Sequence, residues 1–437
     1  MKRASIHTLG CRLNQSESFL LRDQLEARGY RMVPFGEEAE LGIVNTCTVT
    51  NLADAKCRNV IRSFVRKNPK AFTAVVGCYS QMGHKAIAEI PGVDLIVGNQ
   101  DKLSVLDYVD LGKNEVPLIV RDRIDKTDFS IHFAGDWPFN KRANLKVQDG
   151  CDFMCSFCII PFARGRARAR DFDNLLDEAR SLAGRGVREV VLTGVNIGTY
   201  VHEGRGILEM VDALNAVPGI DRIRISSIEP TTIPEELFGL MRDPLHALLP
   251  FLHIPLQSGV DRILRAMRRK YSVAEYLEFI HRANEAVPDL CLGTDIMVGF
   301  PGETGEEFAE TCRVFRENPF AYCHVFSFSE REGTPAERMA GAVPVPERAR
   351  RSAGLRRLSA QRRREYYGNR LGQSLPVLFE DPKPELWTGY TGNYIRVVVP
   401  AGDVPDERGD LRNRIGRVRL ERLSADFVEG RLETMLD

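Results

Sequence analysis

Three cysteines fall within eight residues of the stretch GCDFMCSFCIIPFARGRARAR: Cys151, Cys155 and Cys158, spaced C-x3-C-x2-C. Thiols gathered so closely suit metal, because the thiolate is the ligand and short spacing brings several to one point. Cys155 and Cys158 alone would suit a thioredoxin-like redox pair or half a zinc site. A redox pair has no use for Cys151, and the chain offers neither a second C-x-x-C nor an H-x3–5-H pair to complete zinc. Iron–sulfur clusters do take thiolates at such spacing. Three ligands to a four-iron cluster leave one iron free for a substrate or cofactor, as catalytic metal sites keep a position open.

Three further cysteines each close an apolar run: SIHTLGC at Cys11, LGIVNTC at Cys47 and TAVVGC at Cys78. They lie 36 and 31 residues apart, about one strand–helix unit each. Helical spacing over 15–28, with Ser16 near its start, and over 52–66 separates the runs. Strands alternating with helices predict a doubly wound parallel sheet, whose ligands bind beyond the carboxyl ends of the strands. Cys11, Cys47 and Cys78 would then converge on one edge as a shared metal or cluster site. Cys57 falls inside the second helix and outside that pattern. Cys291, Cys312 and Cys323 lie in apolar strand or helix patterns and read as packed core thiols.

The elements that must position the three-cysteine loop alternate again. Strands are predicted at 144–149, 188–194, 222–228, 251–256, 291–298 and 321–329, with helices at 174–185, 207–216, 234–241, 261–267, 273–286 and 306–317. Every strand exit is polar or rich in glycine and proline: QDGC, TGVN, SSIEP, PLQSG, DIMVGFPGE and FSFSEREGTP. Barrels of this kind carry their active sites on that face. Six units predict a partial (β/α)6 barrel with an open side able to admit a large substrate. From about residue 372 the pattern changes to SLPVLFE, TGYTGNYIRVVVP, RIGRVRLERL and FVEGRLE, with turns at Asp381-Pro382, Thr391-Gly392 and 401–410. Short strands without helices between them predict a small antiparallel β-barrel.

The 437 residues allow about three domains at roughly 150 residues each, and the patterns divide them at 1–130, 140–367 and 370–437. Sixty basic and sixty acidic residues cancel, so net charge names no partner. Between Pro346 and Arg370, however, nine arginines face Glu347 and Glu365 alone. No run of 18 apolar residues suggests a membrane span. The start MKRASIHTLG lacks a signal-peptide core, so a cytoplasmic location is expected.

Cysteines so spaced after a barrel's first strand resemble the signature of radical S-adenosylmethionine enzymes. The longer string is similar to the methylthiotransferase branch, which reads close to GC-x3-C-x2-CIIP-x-ARG-x-x-RSR, and TLGCRLNQSES, VNTCTVT and GCYSQ resemble its three N-terminal cysteine motifs. Asp152, Phe153 and Met154 depart from a common Asn-Asn-Phe, and ARGRARAR does not end in RSR; neither departure removes a ligand. The resemblance implies two [4Fe-4S] clusters, one on Cys11, Cys47 and Cys78 and one on Cys151, Cys155 and Cys158. It implies that one S-adenosylmethionine methylates sulfur held on the N-terminal cluster. A second is cleaved to a 5′-deoxyadenosyl radical that removes the substrate hydrogen. No side chain beyond the cluster ligands then needs a catalytic role. Strand exits offer Thr193, Gly194, Asn196, Ser227, Glu229, Gln257 and Ser258 to S-adenosylmethionine, and Gly299 and Gly302 of GFPGET permit close backbone approach. Each could equally serve a turn or cap.

By the same resemblance the last domain is TRAM-like and binds RNA. Arg396, Arg414, Arg417 and Arg419, beside aromatic residues, suit phosphate contact and base stacking, and the arginine-rich helix 346–367 before it either meets tRNA phosphate or presents a solvated face. RISSIEP and HIPLQSG look closest to the branch that modifies carbon 2 of N6-threonylcarbamoyladenosine beside the tRNA anticodon. The isopentenyladenosine and ribosomal-protein aspartate branches are the alternatives, and a non-catalytic RNA-binding iron–sulfur protein is the rival of another class. Partners expected are the tRNA anticodon stem-loop and a reductant such as flavodoxin or ferredoxin.

Overall fold

Strand and helix alternate from the start of the chain, and the computed structural model describes residues 2–113, 115–133, 142–380, 382–404 and 409–436. The expected domain bounds at 1, 140 and 437, Asp381 of one expected turn and residues 405–408 of another lie outside the described residues.

The first sheet holds β1 (Arg3–Thr8), β2 (Arg31–Met32), β3 (Leu41–Thr46), β4 (Phe72–Gly77), β5 (Leu95–Val97) and β6 (Leu118–Val120). Their order is β2-β1-β3-β4-β5-β6, every pair parallel. Ile43, Ala74 and Val76 pack with Leu21 and Leu25 of α1 (Arg12–Ala27). Their neighbours Val44 and Val75 point the other way, to Ile61 of α2 (Asn51–Lys67) and Ile87 of α3 (Cys78–Ala88). A sheet covered on both faces needs apolar residues at successive positions, which is why all of LGIVNT is buried.

The expected first helix starts three residues early, at Arg12. The Asn14 side chain donates to Leu9 O (2.7 Å) and Thr46 O (2.9 Å), tying the turn so tightly to the strand ends that the helix begins directly after Cys11. Ser16 therefore lies buried within the helix rather than at its start. The short strands β2, β5 and β6 were missed because two or three residues carry no readable period.

The central region carries β7 (Ala143–Lys146) and, around the cysteine loop, an antiparallel pair, β8 (Gln148–Asp149) with β9 (Arg168–Ala169). Between these lies α4 (Ile160–Arg164). There follow α5 (Phe172–Gly184), β10 (Glu189–Thr193), α6 (Ile207–Asn215), β11 (Arg222–Ile225), α7 (Glu236–Arg242), β12 (Phe251–His253), α8 (Asp261–Ala266), α9 (Val273–Ala286), β13 (Cys291–Val298), α10 (Gly305–Glu317) and β14 (Tyr322–Ser327). Two parallel three-stranded sheets, β7-β10-β11 and β12-β13-β14, are bridged where Leu249 N donates to Ile223 O (2.9 Å) and Ile228 N to His253 O (3.2 Å). The result is the open six-strand arc that the alternation predicts. Asp171 starts α5 two residues before the expected point by accepting from Asn174 N at 2.7 Å. Strand β12 is half the expected length, since Pro255 has no N–H to continue the ladder.

Helix α11 (Val345–Gly368) leads to β15 (Ser374–Phe379), β16 (Leu386–Thr391), β17 (Arg396–Pro400), β18 (Ile415–Leu423) and β19 (Val428–Met435), a closed barrel in the order β15-β16-β17-β19-β18. It is antiparallel except at β17–β19. An odd number of strands cannot alternate direction all the way round, so one seam must run parallel.

Candidate functional site

The order of the first sheet reverses between β1 and β3, and crevices at such points sit beyond the strands' carboxyl ends. Cys11 follows β1, Cys47 follows β3, and Cys78 opens α3 after β4. Gly10 has φ +107°, and a Cβ there would stand 2.9 Å from Cys47 Cβ and 3.2 Å from its Sγ, so glycine is needed to bring the first two cysteines together. Asn99 Nδ2 approaches Cys78 Sγ at 3.6 Å. Cys57 is fully buried behind this edge and gives its Sγ–H to Cys47 O at 3.3 Å. Its contact is with the Cys47 backbone, from the helix behind the edge.

The second trio rides a loop pinned at both ends: Cys151 N donates to Gly165 O and Cys158 N to Cys155 O, each at 3.1 Å. Gly150 has φ +72°, and a Cβ would fall 1.9 Å from Arg166 O. Burial pushes the thiols up, Cys47 and Cys158 to about 12 and Cys151 to about 11. It also raises Cys155, where Arg269 opposes the rise. Core thiols Cys57, Cys291 and Cys323 are raised too, so the rise alone marks no ligand. What separates the six is placement, three after the ends of β1, β3 and β4 and three on the one loop between β8 and α4. Cys47, Cys151 and Cys158 thus keep their protons at neutral pH until a metal displaces them. Two all-thiolate trios fit iron–sulfur clusters better than a hard cation.

Three cavities run together above these trios. A cavity of about 460 Å³ is lined by Cys11, Arg12, Thr193, Ser227, Asp295 and Tyr394, among others. One of about 160 Å³ is lined by Cys158, Gln257 and Met297 and shares Asp295 and Phe326 with the first. A third, of about 360 Å³, opens between the central arc and the C-terminal barrel and shares Tyr322, His324 and Tyr394. Asp295 lies where the first two meet. It accepts from His253 Nε2 at 2.8 Å and faces His324 Nδ1 at 3.3 Å. Burial would raise its carboxyl, but the two imidazoles hold it well below the usual range. Among the described residues these three form the one group whose ligand atoms all lie within 4.8 Å. Polar residues at β12, β13 and β14 carried the signal for them, but no spacing in the sequence joins the three.

A buried ion network locks the two trios in place. Glu17 of α1 bonds Arg164 of α4 at 3.0 Å, Lys146 of β7 at 2.9 Å, and Lys102. Asp149 bonds the same Arg164 (3.0 Å) and Lys146 (2.7 Å). Arg164 also lines the largest cavity and opposes the rise of Cys11. No local pattern signals this network, since its members span 148 residues from Glu17 to Arg164 counted inclusively. Arg269 was missed as well: it donates to Cys155 Sγ at 3.3 Å, pairs with Glu229 and meets Tyr271 Oη at 3.0 Å.

The expected cofactor residues divide. Thr193, Gly194 and Ser227 line the largest cavity and Gln257, at φ +68°, the adjoining one. Asn196 Oδ1 accepts from Glu229 N at 3.2 Å, and its Nδ2 is buried without a partner among the described residues. Glu229 is engaged by Arg269, and Ser258 is buried and accepts from Val260 N. Gly299 and Gly302 both have positive φ, and the nearest group to Gly299 is the Arg348 side chain, 2.5 Å from a Cβ.

Arg396 joins the third cavity beside Tyr366, Tyr367, Tyr390, Tyr394 and Arg363. Tyr390 and Tyr394 stack with centroids 5.0 Å apart, and the Arg142 guanidinium lies 4.5 Å above Tyr390. Arg417 and Arg419 stand exposed on β18, and Arg414 precedes that strand; none lines the cavity. The α11 arginines are largely spent within the protein. The buried Arg348 and Arg351 pair with Glu330 and Glu303, while Arg350 pairs with Glu347 and Arg362 with Glu365. Arg363 faces the tyrosine cavity, and Arg356 and Arg357 are exposed.

An open six-strand arc with three thiols after its first strand defines a radical S-adenosylmethionine enzyme, and the radical SAM superfamily model matches residues 145–315. Residues 3–98 match an uncharacterized family, UPF0004. The chain is 36% identical over 451 residues to the threonylcarbamoyladenosine tRNA methylthiotransferase MtaB of Bacillus subtilis, covering all of this chain and 98% of that relative. The MtaB of Thermotoga maritima is 32% identical, covering 99% of each chain. The tRNA-2-methylthio-N(6)-dimethylallyladenosine synthase of Anaplasma phagocytophilum is 31% identical, covering 97% of each. The chain belongs to the threonylcarbamoyladenosine tRNA methylthiotransferase family. In fold alone it is similar to the radical S-adenosylmethionine methyltransferase TsrM of Kitasatospora setae, with TM-score 0.55 and 14% identity over 77% of this chain and 75% of that one. No described helix is long and apolar enough to cross a membrane.

Proposed function

We propose that this chain adds a methylthio group to carbon 2 of N6-threonylcarbamoyladenosine next to the anticodon of tRNA. The observation that carries the reading is the unbroken run of cavities from Cys158, past Cys11, to the tyrosine-lined cleft of the C-terminal barrel. Full-length relatives named for this activity support it. Cys11, Cys47 and Cys78 would hold one [4Fe-4S] cluster, and Cys151, Cys155 and Cys158 another with S-adenosylmethionine at its open iron. When bound, these groups supply reductive cleavage of S-adenosylmethionine and the sulfur to be transferred.

The chain's own work is positioning. The buried ions fix the two thiol trios relative to each other, and Thr193, Ser227 and Gln257 offer polar groups where S-adenosylmethionine would lie. Tyr390 and Tyr394 give unstacked bases a platform, with Arg363 and Arg396 for phosphate. Single-stranded loops are the RNA elements whose bases can be splayed into such a cleft. The reaction requires a one-electron donor of the flavodoxin or ferredoxin kind.

Mass spectrometry of tRNA nucleosides from cells with and without the protein tests the reading. Loss of the methylthio mark on threonylcarbamoyladenosine supports it, and loss on isopentenyladenosine would move the substrate to the other branch. Unchanged tRNA, together with no 5′-deoxyadenosine from the reduced, iron-loaded protein, would overturn it in favour of a non-catalytic RNA-binding protein.

A further inference from the structure

One cation in the largest cavity has no carboxylate of its own. Arg12 lines that cavity next to Cys11, donates to the Tyr394 hydroxyl at 3.0 Å and reaches Asn144 Oδ1 at 3.5 Å. Among the described residues it makes no ion pair. The other guanidiniums there are neutralised: Arg164 by Glu17 and Asp149, and Arg224 by Glu189 at 2.8 Å. Arg142, the third guanidinium around Tyr394, pairs with Glu380 at 3.0 Å. The carboxylate that the cavity does contain, Asp295, is taken by His253 and His324. A guanidinium presents five donors in a planar fork matched to a carboxylate, and Arg12 has used two of them on neutral oxygens. The cavity is thus one anion short at Arg12.

The inference rests on the proposed substrate. That base carries threonine, with its free carboxylate, through a carbamoyl link on N6. Carbon 2 and carbon 6 flank N1, so a base whose carbon 2 meets the cysteine trios sends its N6 substituent off along the other side of N1. The Tyr394 end of the cavity, where the Arg12 head group lies, is open to receive it. We propose that Arg12, held by the Tyr394 hydroxyl, binds the carboxylate of the N6 substituent and so selects bases that carry one. Arg12 is then a specificity-determining residue, and Tyr394 a positioning residue.

Two anticodon stem-loop RNAs test this, one bearing the modified base as the free acid and one as its methyl ester. They are compared by kcat/KM for methylthiolated product with the iron-loaded enzyme, and by affinity from fluorescence anisotropy. The wild type should prefer the acid by about ten- to a hundred-fold, the worth of a hydrogen bond to a charged group. Arg12→Gln should bring the acid-to-ester ratio close to one in both measurements, and Arg12→Lys should restore part of it. Equal losses on both RNAs with Arg12→Gln would place a backbone phosphate on this residue and overturn the proposal. So would a wild type that treats acid and ester alike, a result that depends on no variant folding. A wild type that cleaves S-adenosylmethionine but modifies neither RNA would overturn the substrate reading itself, and this proposal with it.

Discussion

Glu17→Gln probes how the two cysteine trios are held together. Oε1 of Glu17 accepts from Arg164 (3.0 Å) and Lys146 (2.9 Å), and Oε2 from Arg164 (3.1 Å) and Lys102. These side chains are at most 9% exposed. With the charge gone, Arg164, Lys146, Lys102 and Arg168 would face Asp149 alone. Breaking a buried pair by removing one partner costs about 3–5 kcal/mol. Glutamine keeps the volume and one acceptor, so the lower end applies, about 3 kcal/mol or roughly 150-fold in the folding equilibrium. The pH dependence follows in sign. Burial would raise the Glu17 carboxyl, but Arg164, Lys102 and Lys146 together hold it well below its usual range. Its stabilisation is therefore present above about pH 4.3, the unfolded value, and is lost as pH falls through the folded one. The deficit of Glu17→Gln should be full at neutral pH and shrink in acid. Chemical denaturation followed by circular dichroism measures it. Adding Lys102→Met, which removes the cation whose sole ion pair among the described residues is Glu17, should return at least about 1 kcal/mol. A single variant within about 0.5 kcal/mol of wild type at pH 7, or a double variant weaker than the single, would refute the account.

Cys155→Ala should abolish 5′-deoxyadenosine formation while leaving roughly half the iron; complete iron loss would show one interdependent site. Cys47→Ala should retain that cleavage but form no methylthio product, and Cys57→Ala should leave iron content near wild type, both checked by iron assay and product mass spectrometry. Gly10→Ala meets both a left-handed backbone (φ +107°) and Cys47 Cβ at 2.9 Å, so it should cost the N-terminal iron selectively; full iron retention would contradict the close approach. Tyr390→Ala and Tyr394→Ala should each weaken stem-loop RNA binding by about 1–3 kcal/mol, and unchanged affinity in filter binding would remove the tyrosine cleft from the RNA surface.

Both cysteine trios were legible in the sequence, one because Cys11, Cys47 and Cys78 each close an apolar run that becomes a strand, the other because Cys151, Cys155 and Cys158 share one short loop. Apolar runs made the six-strand arc legible as well. What sits between the trios was not. Arg164 reads as part of an arginine-rich string, yet its partners come from α1 and β8, and only folding brings them together. Asp295, His253 and His324 belong to three strands and look like ordinary alternating polar positions. The GFPGET glycines carry a second demand that the local string did not show: Gly299 makes room for Arg348, a residue 49 positions on. Much of the arginine density in α11 likewise resolved into buried or surface ion pairs, a distinction no composition count could draw.

The two trios differ in how they can acquire iron. Cys151, Cys155 and Cys158 occupy eight consecutive residues, whereas Cys11 and Cys78 enclose 68. Gathering ligands across the longer loop in an unfolded chain costs about 2 kcal/mol more in chain entropy. The loop trio is therefore the better trap for iron while the chain is still being made, and the strand-end trio becomes competent only once β1, β3 and β4 lie side by side. With both trios holding clusters as proposed, maturation would have a built-in order, the loop trio taking iron ahead of the strand-end trio.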